Sequence, residues 1–540
     1  MPASEIDPVQ VRDLTVEAHG PTVLILRGAG ADEAERRLFR TIPVVPGDGL
    51  VLASARAVGS KAFRTALQQA CRMALTFASH NRPPTSDGPR LFLALSGSGR
   101  TAGRGRALAQ KISREFAAQV FAPDGPVTFV PGGSIFTGTD HHGWVRFAGG
   151  SAGDRHSARY PCPPWEPMLP RGTVTNGGLH TRPVPAGLAV SASEASAEDA
   201  VSHAVPVSPG HPRIVLGSPG GEPIEPRQVA ALLWRFPVPL REQIQLVPSD
   251  PRTASTGWLG KLAELVGHDV VSATGVIRHG GRSESVFVTD ERGNPLWQPF
   301  SALLRHSPDG RVLPVRAAAP PQGWIASGPL QYRWGRAPGP QPGPHELVAK
   351  VVPSGLALIP AAQAAKPGSA DRLAFEAERL TITLGWPCAP LPEDTPAMLR
   401  RLLAGLRPEQ LARVRLLVLG LAGEPLRAEL SAAAGAIAGR MLFPVVLSAE
   451  DDAMQSAISL SDVDGVAIGE TVMIERKAIA TTAAPSGTSH EGAQTVSAGP
   501  PLPQREPGAS PWAKRKARLA AKRAEEAAQE SEHQEATASG

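Results

Sequence analysis

Cysteine is nearly missing from this 540-residue chain: Cys71, Cys162 and Cys388 stand far apart and are odd in number. That excludes a disulfide framework and a paired-cysteine metal knuckle, and it fits a reducing compartment. Aromatic residues are scarce at 5%, with two tyrosines among them. No run approaches the roughly 18 to 20 apolar residues of a membrane-spanning helix. The opening MPASEIDPVQVRD has no basic segment followed by an apolar core, so no cleaved signal peptide is expected. A strong charge of one sign is lacking too: the net charge is +5 over the whole chain, without the clustered basic face of a nucleic-acid binder. Nine lysines against 46 arginines read as the codon usage of a GC-rich genome. A cytoplasmic protein with no membrane partner is the expectation.

What is present is enough apolar sequence for real cores, at 42%, and an excess of glycine and proline, 55 of each, about twice the usual share. Length alone suggests about three or four domains, and a repeat organises them. PAGLAV at 185–190 returns as PSGLAL at 353–358, and RIVLGSP, ending at Pro219, returns as TITLGWP, ending at Pro387. Both pairs are 168 positions apart, the mark of a tandem duplication. Each copy continues as helix, strand, loop, helix and strand. Leu399, Leu402, Leu403 and Leu406 keep helical spacing, and the strands are short continuous apolar runs, as in sheets buried on both faces. A third, more divergent copy is read around LFLAL at 91–95, with Arg100-Thr101-Ala102 echoing Arg252-Thr253-Ala254. Trp144-Val-Arg-Phe147 and Trp297-Gln-Pro-Phe300 are read as matching aromatic plugs.

Strands alternating with helices predict an α/β protein of three tandem, divergent modules with mainly parallel sheets. The modules are placed at 1–150, 184–316 and 351–478, the last repeating the second. Proline-rich linkers are placed at 151–183 and 317–350. A disordered tail is expected over 479–540, with a charged helix near 512–530.

The strongest chemical candidate is the loop SGSGRTAGRGR after LFLAL. Gly97, Gly99 and Gly103 are spaced one residue too long for a dinucleotide fingerprint, and no lysine follows to make a phosphate loop. Ser96 stands where a nucleophile elbow needs glycine. Ser96 and Ser98 are the weak nucleophile candidates, and His141 or His142 the candidate base. Arg100, Arg104 and Arg106 beside a helix start are candidate anion ligands. Asp140, His141 and His142, with Asp154 and His156, form a histidine–carboxylate cluster, which reads as a hairpin tip rather than a metal site because adjacent strand residues point apart. No metal or cofactor is expected. In the tail, Lys514, Arg515, Lys516, Arg518, Lys522 and Arg523 could touch a partner or nucleic acid, and no aromatic stacking pattern accompanies them.

The run from Leu91 to Phe147, with LFLAL, SGSG, RALAQKI, VFAP and GWVRF, resembles α/β domains of large actinobacterial, toxin-associated proteins. Some of these are similar to caspase-like hydrolases, in which a cysteine follows the strand and a His-Gly pair follows an earlier one. Ser96 or Ser98 takes the cysteine's place in this chain, and no His-Gly follows GLVLASA. The resemblance therefore implies a catalytically degenerate copy. The repeats share glycines, prolines and apolar strands, not acids, bases or nucleophiles. The expected function is a non-catalytic intracellular scaffold with a protein partner. Hydrolase-like or anion-binding activity in the first module, and nucleic-acid binding by the tail, are the alternatives.

Overall fold

The computed structural model describes residues 6–444 and the strand at 468–474. Residues 1–5, 28–32, 82–87, 102–105, 131, 139–141, 152, 195–199, 281–282, 336–341, 437–438, 445–467 and 475–540 lie outside the described residues. The expected tail and its six basic residues therefore fall outside the description.

The first module opens with β1 (Ile6–Val11), β2 (Leu14–His19) and β3 (Thr22–Arg27). Next come α1 (Glu33–Arg40), β4 (Asp48–Ala53), α2 (Ala55–Val58) and α3 (Phe63–His80). β5 (Arg90–Leu93), α4 (Leu108–Phe116) and β6 (Gln119–Pro123) complete the parallel set. β7 (Thr128–Val130), β8 (Ser134–Phe136), β9 (Trp144–Phe147), β10 (Asp154–Ser157) and β11 (Arg159–Tyr160) follow. The main sheet runs β1-β2-β3-β4-β5-β6-β9-β10, and β11-β8-β7 form a small separate sheet. β3 to β6 are parallel, and their neighbours on either side are antiparallel.

The same plan recurs twice. In the second module β12 (Val174–Asn176), β13 (Leu179–Val184), β14 (Gly187–Ser191), α5 (Ala200–Ala204) and β15 (Arg213–Leu216) come first. α6 (Pro226–Leu233), α7 (Val238–Arg241), β16 (Gln245–Pro248), α8 (Thr256–Val266) and β17 (Val270–Ala273) come next. β18 (Val276–His279), β19 (Glu284–Thr289) and β20 (Pro295–Trp297) make small ladders, and β21 (Ser301–His306) and β22 (Val312–Ala317) close the main sheet.

The third module holds β23 (Trp324–Gly328), β24 (Gln331–Trp334), β25 (Leu347–Val352), β26 (Gly355–Pro360), α9 (Ala361–Ala364) and β27 (Leu380–Leu384). It ends with α10 (Thr395–Gly405), α11 (Pro408–Leu411), β28 (Val414–Val418), α12 (Glu424–Ala433), β29 (Gly439–Pro444) and β30 (Ile468–Ile474). All three main sheets have eight strands in chain order around four parallel ones; the first two carry two antiparallel strands on each side, whereas the third carries three before the parallel set (β23, β24, β25) and one after it (β30).

The 168-residue offset is also a structural register. Gly187 pairs with Arg213, and Gly355 with Thr381, at the start of equivalent parallel ladders. Both glycines have φ near +150°, at 153° and 149°. A Cβ on either would overlap the carbonyl oxygen of its partner strand, Arg213 or Thr381. Glycine is required there by both backbone angle and close approach.

Three expectations need correction. The stretch 151–183, read as a linker, carries β10 to β13, and 317–350 carries β23, β24 and the start of β25. These outer strands are half-buried and alternate, as in LHTRPV, so a search for continuous apolar runs misses them. The aromatic motifs also differ in register. Trp144–Phe147 is β9 itself, whereas Trp297 and Phe300 precede β21, the equivalent strand.

Each sheet buries both faces unequally. In the first module Val23, Ile25 and Val51 pack with α2, α3 and α4. Leu24, Leu26, Leu50 and Leu52 face Phe39, just inside α1, and Ile135 and Tyr160 of the small sheet. Arg36 on α1 reaches Glu17 on β2 at 2.8 Å. The second module repeats this, with α6 and α8 on one face and α5 with the β18–β19 hairpin on the other. Neighbouring strands follow chain order, so crossovers on opposite faces have opposite hands. One of the two hands departs from the usual right-handed rule.

Two junctions link the modules. At the first, Arg159 is buried to 3% side-chain exposure and pairs with Glu166 at 3.4 Å. Its Nε donates to the Pro185 carbonyl at 2.6 Å, and Nη2 donates to Val184 and Gly187 at 2.6 and 2.9 Å. The guanidinium lies against the Phe136 and Trp165 rings. At the second, Val288, Trp297, Phe300 and Leu304 share one apolar core with Leu347, Leu356 and Leu380. Trp297 Nε1 donates to Ala377 O at 2.7 Å, and Ser301 Oγ to Val352 O at 2.5 Å. Val352 is the 168-offset counterpart of Val184, so both junctions grip the same turn of the following module.

Candidate functional site

The carboxyl ends of parallel strands are where open α/β sheets bind ligands, above all where adjacent crossovers leave on opposite faces. The candidate loop stands at that end of β5. Its backbone is committed locally. Gly97 N donates to Gly125 O, and Gly99 N to Pro123 O, both at 2.9 Å. Gly97 has φ +70°, and a Cβ on Gly99 would lie 2.5 Å from the Ala122 oxygen. The glycines thus let the loop lie against the end of β6; they do not open a cradle.

Among the described residues neither candidate nucleophile is bonded to a base. Ser96 Oγ accepts from Val127 N at 3.1 Å. Ser98 is 6% exposed, and its hydroxyl has no hydrogen-bond partner. His142, the candidate base inside the described residues, places Nδ1 3.3 Å from Asp124. Asp124 also accepts from Gly143 N and lies 3.5 Å from Arg155. Neither serine is bonded to His142, so the pieces of a Ser-His relay do not converge. His141 and Asp140 lie outside the described residues.

The anion reading fares similarly. Arg100 and Arg106 are exposed, and Arg104 lies outside the described residues. α4 starts without a side-chain cap, and the Ser98 carbonyl takes the N–H of Ala109 in its first turn at 3.1 Å. That use of a free N–H competes with an anion at the same helix end. Asp154 lies 3.5 Å from Arg146, and the His156 ring lies tilted against Phe121, with centroids 4.8 Å apart. Burial holds His156 below the ordinary imidazole range, with Arg90, Arg146 and Arg171 adding to it. Among the described residues no set of three His, Cys, Asp or Glu side chains could hold a metal.

Two clefts lie elsewhere. One, of about 30 Å³, is bordered by His142, Arg155, His156, Cys162, Glu166 and Arg171. It has room for one water. Burial, then Glu166, pushes the Cys162 thiol up to about 12, so the reactive thiolate is scarce at neutral pH. Burial likewise raises Cys71. The other cleft, about 290 Å³, runs between α8 and the β21–β22 hairpin, beside Gly257, Gly260, Lys261, Glu264, His306 and Arg311. Lys261 pairs with Glu264 at 2.9 Å, and Arg311 with Asp309 at 2.6 Å. His306 Nε2 lies 3.3 Å from Ser272 Oγ. Ser272 is wholly buried and His306 is 1% exposed. Burial pulls the imidazole down to about 4. This serine–histidine pair was not singled out from the sequence: its members are 34 residues apart on two strands, and no local pattern marks them.

The equivalent strand ends in the three modules are closed by unrelated chemistry. Ser98 is buried at the first. At the second, Asp250 caps the following turn, pairs with Arg252 at 2.5 Å and fits under Gly217. At the third, Leu391 sits over Gly420, where a Cβ would be 2.6 Å from Leu391 Cδ2. The crossover crevices of the later modules are also filled from within. A Cβ on Gly293 would lie 2.9 Å from Pro219, and one on Gly368 would lie 2.7 Å from Trp386.

No family model, curated protein or solved structure matches this chain. Among the described residues no helix is long and apolar enough to cross a membrane.

Proposed function

We propose that this chain is a non-catalytic cytoplasmic scaffold that presents three α/β modules to a protein partner. The supporting observation is the closure of equivalent strand ends by Ser98, by Asp250 with Arg252, and by Leu391. An inherited activity would place like groups at like positions. These strand ends are covered instead by a buried hydroxyl, a local ion pair and a leucine reaching over from the loop after β27. In this reading the first module is a degenerate copy of a hydrolase-like domain, and its SGSG loop is a strand-to-helix turn.

Two measurements test it. Cross-linked pull-down from native extract, with the full chain and with a version ending near residue 480, is expected to retain one partner on both. Absence of a partner on either overturns the reading. A serine-directed fluorophosphonate probe is expected to leave Ser96 and Ser98 unlabelled. Labelling that disappears in Ser98→Ala would restore the hydrolase alternative.

A further inference from the structure

The second and third modules turn the same corner between two helices. In one, α6 ends at Leu233 and α7 begins at Val238; in the other, α10 ends at Gly405 and α11 begins at Pro408. The two corners share backbone hydrogen bonds at an offset of 170. Phe236 N donates to Leu233 O, as Leu406 N does to Leu403 O. Leu240 N donates to Pro237 O at 3.0 Å, as Gln410 N does to Arg407 O at 3.0 Å.

The third module's corner is covered by main-chain groups of the turn at Pro321–Trp324, between β22 and β23, and of Gln298, just after β20. Gln322 N donates to Gly405 O at 2.9 Å, and Gln410 Nε2 donates to Gln298 O at 2.8 Å. A Cβ on Gly405 would lie 2.5 Å from the Gln322 oxygen, so this cover requires glycine. The second module has Arg235 at that position, Trp234 where the third has Ala404, and Leu240 where it has Gln410. The in-chain cover cannot form there, and the corner is open. Trp234 is 56% exposed and Val238 53%, and Pro237 and Pro239 between and beside them are exposed as well. Arg241 lies 4.3 Å over the Trp234 ring, with its Nε buried and unpartnered. Arg235 is exposed and, like Arg241, has no ion pair among the described residues.

We propose that this α6–α7 corner is a docking surface for a peptide segment of a partner protein carrying a carboxylate beside apolar side chains. The inference rests on the scaffold reading and names its recognition surface. Three features choose the occupant. The equivalent corner of the same chain binds main-chain groups of another segment. The exposed Trp234, Val238 and prolines offer apolar area, and tryptophan and arginine are the residues that dominate interface energetics. Two unpaired guanidinium groups flank that area, and covering them calls for an acidic partner group.

The test uses the full chain and a displayed library of random 12-residue peptides as the probe. Enriched peptides are expected to combine Asp or Glu with apolar residues. Trp234→Ala should weaken their binding by about tenfold or more. Arg241→Gln should weaken it several-fold and flatten its salt dependence. Trp334→Ala, at another exposed tryptophan, should leave it unchanged. No enrichment, peptides without acidic residues, or binding indifferent to Trp234→Ala would each overturn the proposal. So would a dimer that dissolves in Trp234→Ala, which would make the occupant a second copy. A native partner retained by Trp234→Ala sinks this corner and leaves the scaffold standing, whereas no partner on either chain sinks the scaffold itself.

Discussion

The two junctions solve one problem with opposite chemistry. The first buries a charge: Arg159 sits among three carbonyls, Glu166 and two aromatic rings. The second buries apolar area: Trp297 and Phe300 join the third module's core, with one indole hydrogen bond to Ala377. An apolar junction tolerates changes that keep area and shape. A buried ionic one does not, because removing one partner strands the others without water. The first junction is therefore the more specific and the second the more forgiving.

Breaking the polar junction should have the largest effect. Arg159→Met strands Glu166 and the turn carbonyls, and should cost about 3–5 kcal/mol in chemical denaturation, with new proteolytic cleavage near 158–173. The double variant Arg159→Met with Glu166→Gln should be more stable than Arg159→Met alone, since no unpaired carboxylate remains. Equal stability would mean that the carboxylate is hydrated and the junction wet.

Trp297→Ala should cost about 3 kcal/mol or more by emptying part of the shared core. Trp297→Phe should cost about 1 kcal/mol, the share of the indole hydrogen bond. A large loss in the phenylalanine variant would show that the second junction is as exacting as the first.

The modules should also differ in the sign of their pH response. Burial lowers His306 to about 4, below its unfolded value near 6.5. The native state then binds fewer protons, so stability is full above pH 6.5 and falls toward pH 4, by about 3 kcal/mol. His306→Phe should flatten that limb. Burial raises Asp48 to about 6, against the opposing pull of Arg90. Its contribution runs the other way, present below pH 4 and lost as pH rises through 6. Asp48→Asn should remove that loss, read as melting temperature between pH 4 and 8. The smallest effect is expected at Ser98→Ala, within about 1 kcal/mol of neutral, because the hydroxyl it removes has no partner.

Much of the fold was legible because its parallel strands are local and apolar. TVLILR, GLVLA, RIVL and TITL each sit where continuous runs placed them. The repeated glycines were legible as a pattern; their reason, contact between neighbouring strands at Gly187 and Gly355, needed the third dimension. The outer strands were hidden by their half-polar alternation and by the prolines around them. The candidate site was legible only as residues. Sequence could name Ser96, Ser98 and His142, but it could not reveal that His142 turns to Asp124, that Ser96 accepts from Val127 N and that the Ser98 hydroxyl is buried without a partner. The Ser272–His306 pair and the carbonyls that hold Arg159 were hidden for the same reason, since those partners are 25 or more residues apart in the chain.

The grip of Arg159 on the turn at 184–187 also has a consequence for the order of synthesis. The arginine leaves the ribosome before any of the carbonyls that will hold it. Until Gly187 has been made and β13 has turned into β14, its guanidinium and Glu166 must remain in water. The first sheet can assemble from its own strands, but the space beside Phe136 and Trp165 cannot dry until the second module has begun to fold. One side chain thereby makes completion of the first module a report that the second has started.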